Sequence, residues 1–172
     1  MQKLVLRLFM LIGIVLLPVA FKKKTVKDWI IVFLLTALIS AIVDHVLVQK
    51  KFLTYPVRIF PNSFKYHLVF DLLLCPLVSV FYNQFTYKDK SILRILRKQL
   101  CFTIPQLLIE VLAGKYLNMV RWHKGWKWYH TFINMNIKYL TIRALMGFIR
   151  RVSKKQATEF NRHDYLEEKS SF

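Results

Sequence analysis

Four ionisable residues stand within apolar stretches of this sequence: Asp44, Asp71, Glu110 and Lys138. Placing an Asp or a Lys near the centre of a membrane helix costs about 2.5 to 3.5 kcal/mol on insertion-based scales. Residues that carry such a cost mark ion or proton paths, metal sites or ligand counter-ions by default. Together with His67, these four residues form the candidate ligand or ion site.

Polar residues recur every three or four positions in the later apolar blocks, so each set shares one face of a helix. The sets are Thr36, Ser40 and Asp44; His67, Asp71, Cys75 and Ser79; Gln106 and Glu110; and Thr131, Asn134, Lys138 and Thr141. In consecutive antiparallel helices, the ionisable members fall within about 8 Å of one another in depth, at about 1.5 Å of rise per residue. We therefore expect them to face neighbouring helices and to converge near one end of a bundle.

A structural role competes with a ligand site for these residues. Glu110 could pair with Lys138, and the hydroxyl and amide groups could join helices at about 0.6 kcal/mol each. Asp44 and Asp71 are also shallow enough to be wetted. The sequence leaves both alternatives open, with the structural one slightly ahead.

The spacing of the residues supports a metal site or a catalytic site less well than it supports an ion or ligand site. His67, Asp71, Glu110 and Asp44 could offer one nitrogen and several oxygens to a divalent ion. However, there is no HExxH or paired-cysteine pattern, and no Ser or Cys stands beside a His and an orienting group. The sequence therefore indicates no catalytic residue, no metal site and no cofactor.

The apolar blocks that carry these residues predict an all-α polytopic bundle. Hydrophobic residues make up 55% of the chain, in blocks close to the roughly 20 residues that a membrane-spanning helix needs. The predicted spans are residues 4–21, 29–48, 66–87, 99–118 and 129–149, which makes residues 1–150 the bundle and 151–172 a polar tail with a short, fraying helix. Four spans are the alternative, because 129–149 carries Asn134, Asn136, Lys138 and Arg143 and could lie in the interface.

Lys and Arg set the predicted orientation of the bundle. The segments at 22–28, at 88–98 and after Ile149 carry more of them than the alternate segments, which places the former in the cytoplasm and the N-terminus outside. A cleaved signal peptide is the alternative for 4–21. The lysine cluster after it and the lack of a small-x-small cleavage pattern favour an uncleaved span.

The net charge of +18 would ordinarily suggest a nucleic-acid partner. Here the basic residues are spread over every connecting segment, without one basic face to follow a phosphate backbone. They instead favour anionic lipid headgroups as partners, at roughly 1 kcal/mol per residue. Cys75 and Cys101 lie at different depths, so we expect two buried free thiols and no disulfide.

The loops at 49–65 and 115–128 combine basic and aromatic residues on the same side of the membrane as the acidic cluster. Interfacial aromatic belts explain much of this pattern. The functional alternative is a platform for lipid or a partner protein, built from Tyr55, Arg58, Trp122, Trp126 and Trp128.

The stretches TYPVRIF, FDLLLCPLVSVFYNQ, TIPQLLIE and RWHKGWKWYHTFI resemble a family of uncharacterised small multi-span membrane proteins of spore-forming Gram-positive bacteria. The resemblance covers about residues 27–152. It implies a bacterial plasma membrane and places Asp71 and Glu110 in shared motifs, but it implies no activity.

The sequence is compatible with two candidate functions. The first is a membrane scaffold or interaction protein that binds lipid or a partner at its basic-aromatic face. The second is a component of a cation or proton transporter or channel that uses the acidic cluster. Because one small bundle is a narrow basis for an ion path, the second function implies a homo-oligomer or a partner membrane protein.

Overall fold

The computed structural model describes residues 2–22, 25–56, 70–89 and 91–170 of the chain, which is all-α and 84% helical. The helices are α1 (Gln2–Phe21), α2 (Val26–Gln49), α3 (Cys75–Thr86), α4 (Ile92–Leu117) and α5 (Trp128–Ser170). A π-helical turn, Phe70–Leu74, leads directly into α3. Two short antiparallel strands, β1 (Leu53–Thr54) and β2 (Arg121–Trp122), join the loops that follow α2 and α4.

The helices place polar side chains inside the bundle and apolar side chains outside. Thr36, Ser40, Gln99 and Thr103 are all buried. The exposed positions of the same helices include Leu34, Leu38, Ile104 and Leu108. A soluble bundle has the opposite arrangement, because its apolar residues collect away from water. An apolar surface around a polar interior is typical of a bundle solvated by lipid.

Three of the described helices are long and apolar enough to cross a membrane: Leu4–Phe21, Val26–Gln49 and Ile92–Leu117. They correspond to the first, second and fourth spans of the sequence prediction. The expected third span, 66–87, begins outside the described residues. The helix at the fourth position begins at Ile92, within the segment that was expected to be a loop.

The short helix α3 occupies the centre of the bundle, in contact with α1, α2 and α4. Pro76 stands at its first turn. In a continuous α-helix, a proline at this position would clash with the carbonyl of Leu72. The π-helical turn before α3 widens the backbone just where that clash would occur. Asp71 and Cys75, at the two ends of this turn, are both buried.

The end of α4 folds the following chain back over the bundle. Asn118 adopts a left-handed conformation (φ 52°), and the backbone N–H of Met119 donates to the carbonyl of Ala113 at 3.1 Å. Asparagine is one of the few residues that tolerate this conformation at the end of a helix. Gly114 allows the returning backbone to come close, since a Cβ there would lie 3.1 Å from the carbonyl oxygen of Val120.

Helix α5 differs from the sequence prediction in two respects. It continues without a break from the expected span 129–149 to Ser170, so the tail continues α5 instead of forming the separate short helix that was expected. The expected polar face is also wrong at Thr141, which is exposed. The buried face instead passes through Lys138, Tyr139 and Ile142, because the packing surface turns toward α2 and α4.

Both cysteines are free, but only Cys75 is buried. The expectation that Cys101 is buried was therefore wrong. Cys101 lies on the outer face of α4 between the exposed Leu100 and Ile104. An apolar block does not reveal which of its faces meets lipid, and a thiol is apolar enough for either.

A hydrophobic core lies at the end of the bundle that holds the start of α2 and the end of α3. It contains Ala20, Trp29, Val32, Leu77, Val80, Ile142 and Met146. Arg150 closes this end. It forms an ion pair with Asp28 at 2.7 Å, and its guanidinium lies 4.5 Å from the ring centroid of Tyr87. The opposite end of the bundle is more polar, and it contains the candidate site.

The packing of α1 on the π-helical turn makes a specific prediction at Gly13. A Cβ on Gly13 would lie 2.5 Å from Cδ2 of Leu73, so Gly13→Val should destabilise the protein by about 1–3 kcal/mol through overpacking. Gly147→Val, in open space on α5, is the matched control. The apparent melting temperature in detergent should fall clearly for Gly13→Val and much less for Gly147→Val. Equal effects would show that α1 does not pack tightly here.

Candidate functional site

A cavity of about 70 Å³ lies within the polar end of the bundle. Its volume can hold a few water molecules or a small charged group. All four ionisable residues singled out by the sequence line it: Asp44, Asp71, Glu110 and Lys138. The depth argument therefore located their convergence correctly, although their role as a ligand site stays a prediction.

Each charged residue reaches the cavity from a different element. Asp44 comes from the last turns of α2, and Asp71 comes from the π-helical turn. Glu110 lies in the second half of α4, and Lys138 lies three turns into α5. Because α2 and α4 run toward the same end of the bundle from which α3 and α5 start, the four side chains meet at one level.

The two aspartates form the most constrained part of the site. The carboxyl group of Asp71 lies within hydrogen-bond reach of Asp44, and two carboxyl groups can bond in this way only if they hold a proton between them. Asp71 is 4% exposed, and its Oδ2 has no hydrogen-bond partner among the described residues. Asp44 Oδ2 also accepts a hydrogen bond of 2.7 Å from the Tyr55 hydroxyl.

Tyr55 follows β1 and is buried against the acidic cavity. Burial and the charge of Asp44 hold the pKa of its phenol well above the usual value. Tyr55 therefore remains a hydrogen-bond donor at neutral pH. It was predicted as part of an outward-facing platform, but it faces the carboxyl groups.

Lys138 does not neutralise the acids through an ion pair. Its Nζ donates to Ser40 Oγ at 3.0 Å and lies 3.6 Å from Cys75 Sγ. No carboxylate of the described residues is within 4.0 Å of its nitrogen in an ion pair. The expected Glu110–Lys138 pair is therefore not formed. The Ser40 hydroxyl and the Cys75 thiol hold the ammonium group instead.

A network of buried amides and phenols supports the wall of the cavity around Cys75. The amide of Gln106 donates to Cys75 Sγ at 3.0 Å, and the Tyr139 hydroxyl donates to the carbonyl oxygen of Gln106 at 2.5 Å. Further along the bundle, the Tyr82 hydroxyl donates to Gln99 Oε1 at 3.2 Å. Gln99 in turn donates to Asn136 Oδ1 at 2.7 Å. These bonds fix α3, α4 and α5 relative to one another.

The two loops predicted to be basic and aromatic form a lid over the cavity, defined here as residues 50–56 and 118–127. Strands β1 and β2 pair Leu53 with Trp122, and the backbone N–H of His123 donates to the carbonyl of Phe52 at 2.9 Å. Trp126 lines the cavity and donates from Nε1 to Thr131 Oγ1 at 3.0 Å. The lid thus contributes Leu53, Tyr55, Met119, Val120 and Trp126 to the wall of the cavity.

The remaining residues of the predicted site do not lie together. His67 and Arg58 lie outside the described residues. Trp122 lies in β2 and is partly buried, whereas Trp128 is 54% exposed at the start of α5. The described residues of these two loops therefore do not present a single outward-facing platform. Asn134, predicted on the polar stripe of α5, does line the cavity.

The sequence reasoning missed several residues that complete the site. Ser40 and Cys75 were placed on polar stripes, but their contact with Lys138 was not foreseen. Gln99 and Tyr139 were not singled out at all, because Gln99 stood at the edge of a predicted span and Tyr139 in an aromatic-rich stretch. An amide at the edge of an apolar block is the signal that could have identified Gln99.

The described residues contain no group of three or more His, Cys, Asp or Glu side chains that could hold a metal ion. The three acids of the cavity thus line one space without forming a coordination shell. No family model, curated protein or solved structure matches this chain. The chemistry of the cavity therefore carries the functional argument.

The unpartnered oxygen of Asp71 predicts an unusual stability effect. Burying an ionisable carboxyl group beside a second one costs more than burying a neutral amide, and an amide at this position can still donate to Asp44. We therefore expect Asp71→Asn to raise the apparent melting temperature or leave it unchanged. Asp28→Asn, which breaks the 2.7 Å ion pair with Arg150, is the control and should lower it. A similar loss in both variants would make Asp71 a structural residue.

Proposed function

We propose that this protein is a five-span integral membrane protein that binds protons or a small monovalent cation in its acidic cavity, as a component of a transporter or channel. The observation that carries the proposal is the buried Asp71 carboxyl group. It has an oxygen without a partner among the described residues and lies beside a second carboxyl group in a cavity with room for water. Of the buried side-chain atoms without a partner among the described residues, Asp71 Oδ2 is the one whose residue lines the cavity.

The charge balance of the cavity supports a positively charged ligand. Asp44, Asp71 and Glu110 face it with one cation, Lys138, which is held by Ser40 and Cys75. If all four groups were ionised, the cavity would carry an excess of two negative charges. Protons or a bound cation can remove this excess. The lack of a three-ligand cluster among the described residues favours these ligands over a divalent metal ion.

Five spans agree with the packing better than three. Helix α3 is buried along most of its length, at positions that include Leu77, Val80 and Tyr82. A helix surrounded by other helices needs less apolar surface than one that faces lipid. The burial of α3 and the polar residues in the first half of α5 therefore suit interior spans. The excess of Lys and Arg places the N-terminus outside and the C-terminus in the cytoplasm. The resemblance noted above suggests a bacterial plasma membrane.

A scaffold or interaction protein is the second candidate. One observation favours it: Trp128 and Tyr129 are exposed at the start of α5, beside the exposed Lys124 and Lys127. This patch combines aromatic and basic side chains at the level of the headgroups, where it can bind anionic lipid or a partner protein.

The proposed topology can be tested with two single cysteines in exposed turns, Lys88→Cys and Lys124→Cys. A maleimide that cannot cross membranes should label position 124 in intact cells and position 88 only after lysis. The native thiols should not interfere, because Cys75 is buried and Cys101 faces lipid. Labelling of both turns from one side would rule out a spanning α4, and the reverse pattern would invert the topology.

The proposed activity can be tested by ion flux. Purified protein in liposomes should pass protons, or Na⁺ or K⁺, at a rate above that of empty liposomes. Glu110→Gln and Asp71→Asn should each reduce the flux to the background, because each removes one of the acids that line the path. Glu159→Gln, on the exposed end of α5, is the matched control and should retain the flux.

The same assay separates the two candidate functions. Trp128→Ala should leave the flux unchanged if the cavity carries the function. The transport proposal is wrong if wild-type protein passes no ions, or if the acid variants retain full flux. The scaffold proposal then gains support if Trp128→Ala, outside the cavity, impairs the protein's function in cells while Asp71→Asn does not.

A further inference from the structure

The cavity reaches the outer surface of the bundle on one side. Ile109 of α4 lines the cavity and is also 44% exposed. Phe9 of α1, which is partly exposed, lines the same space on the other side of this opening. Helix α4 packs mainly on α3 and α5, whereas α1 packs on α2 and α3. Among the described residues, the wall between α1 and α4 is thus made of a few side chains, and no described helix packs over it.

This opening faces the hydrocarbon of the membrane. Around Ile109, the exposed residues of α4 are Ile104, Leu108 and Leu112, and those of α1 on the outer surface include Leu8 and Ile12. Glu110 follows Ile109 directly and is half-buried at the same opening. A carboxyl group is therefore placed just behind an apolar entrance.

The aqueous side of the cavity is less favourable for a dissolved cation. The lid closes it through the Tyr55–Asp44 hydrogen bond and Trp126. The segments around the lid carry exposed basic residues: Lys50, Lys51, Lys115, Arg121, Lys124 and Lys127. Their combined positive charge slows the approach of small cations from water without preventing it. A ligand that arrives through the membrane avoids this barrier.

The lining of the cavity divides into two chemical parts. The inner part holds Asp44, Asp71 and Glu110, which suit a group that is positively charged and donates several hydrogen bonds. The rest of the lining is apolar: Leu6 and Met135 are buried, whereas Phe9 and Ile109 are partly exposed at the opening. A primary ammonium group on a hydrocarbon chain matches both parts, since its head fits the small acidic space and its chain can remain in lipid.

We propose that the cavity binds the primary ammonium head of a membrane-dissolved amphiphile, which enters laterally between α1 and α4. This inference rests on the acidic cavity of the proposed function and goes beyond it, because it names an alkylammonium ligand besides protons and small cations. The same head chemistry occurs in a free long-chain amine and in an aminophospholipid. In both cases Glu110 meets the head first, and the two aspartates hold it further in.

The test measures the thermal stability of the full chain in phosphatidylcholine nanodiscs, with dodecylammonium and methylammonium as probes. A ligand that binds the folded state raises the melting temperature according to its concentration relative to its Kd. Dodecylammonium should stabilise the wild type, whereas methylammonium at equal concentration should not. Dodecanol, which has the same chain without the charge, corrects for effects on the bilayer.

Two tryptophan variants on α4 test the lateral route. Ile109→Trp should fill the entrance and weaken dodecylammonium binding about tenfold or more. Ile104→Trp is the matched control, since it places the same side chain on the exposed face of α4 away from the cavity. Ile104→Trp should bind dodecylammonium as the wild type does. Glu110→Gln should lose the response while remaining folded.

The outcomes separate this inference from the proposed function. Equal stabilisation by both amines, unaffected by Ile109→Trp, would overturn lateral entry but leave a water-accessible cation site. Stabilisation by neither amine would overturn the inference, and the ion-flux assay would then judge the cation or proton function independently. If dodecylammonium binds, nanodiscs that contain phosphatidylethanolamine identify the source: reduced binding of the probe there supports a lipid headgroup, and unchanged binding supports a free amine.

Discussion

Hydrocarbon offers no hydrogen-bond partners, so every polar group that enters it has to find a partner within the protein. This constraint explains why the helices turn Thr36, Gln99 and Gln106 inward and leave leucine and isoleucine outside. It also explains the long-range hydrogen bonds among Tyr82, Gln99, Asn136 and Tyr139, which join helices distant in sequence. The unpaired oxygen of Asp71 lowers the stability of the fold. A site that binds and releases a ligand gives a reason for this cost.

The two candidate sites suggested by the sequence, the aromatic loops and the acidic cluster, lie at the same end of the bundle. The aromatic loops and the acidic cluster were considered as competing sites, but the loops cover the cluster. Tyr55 bonds to Asp44, and Trp126 forms part of the cavity wall. The aromatic residues therefore divide into two groups: Trp128, just after the lid, is exposed, while Tyr55 and Trp126 of the lid line the acidic cavity.

The all-α fold, the positions of three long apolar helices and the common depth of the charged residues could all be predicted from the sequence, because they depend on segment length and helical spacing. The contacts made by Lys138 could not be predicted, since its choice of Ser40 and Cys75 over Glu110 depends on how far the helices are rotated about their axes. The same rotation decides that Cys101 and Thr141 face outward. The π-helical turn was also missed, although Pro76 in an apolar block was its signal.

The length of α5 has a mechanical consequence. Lys138 and Ser170 belong to one unbroken helix, and the distance between them along its axis is about 48 Å at about 1.5 Å per residue. A helix of this kind acts as a lever whose short arm lies in the cavity. Tilting it by about 5° around Lys138 would swing its far end by roughly 4 Å on the same geometry. A change in the protonation or the ligand of the carboxyl groups would thus be amplified at the far end of α5, without any contact between the ligand and the tail.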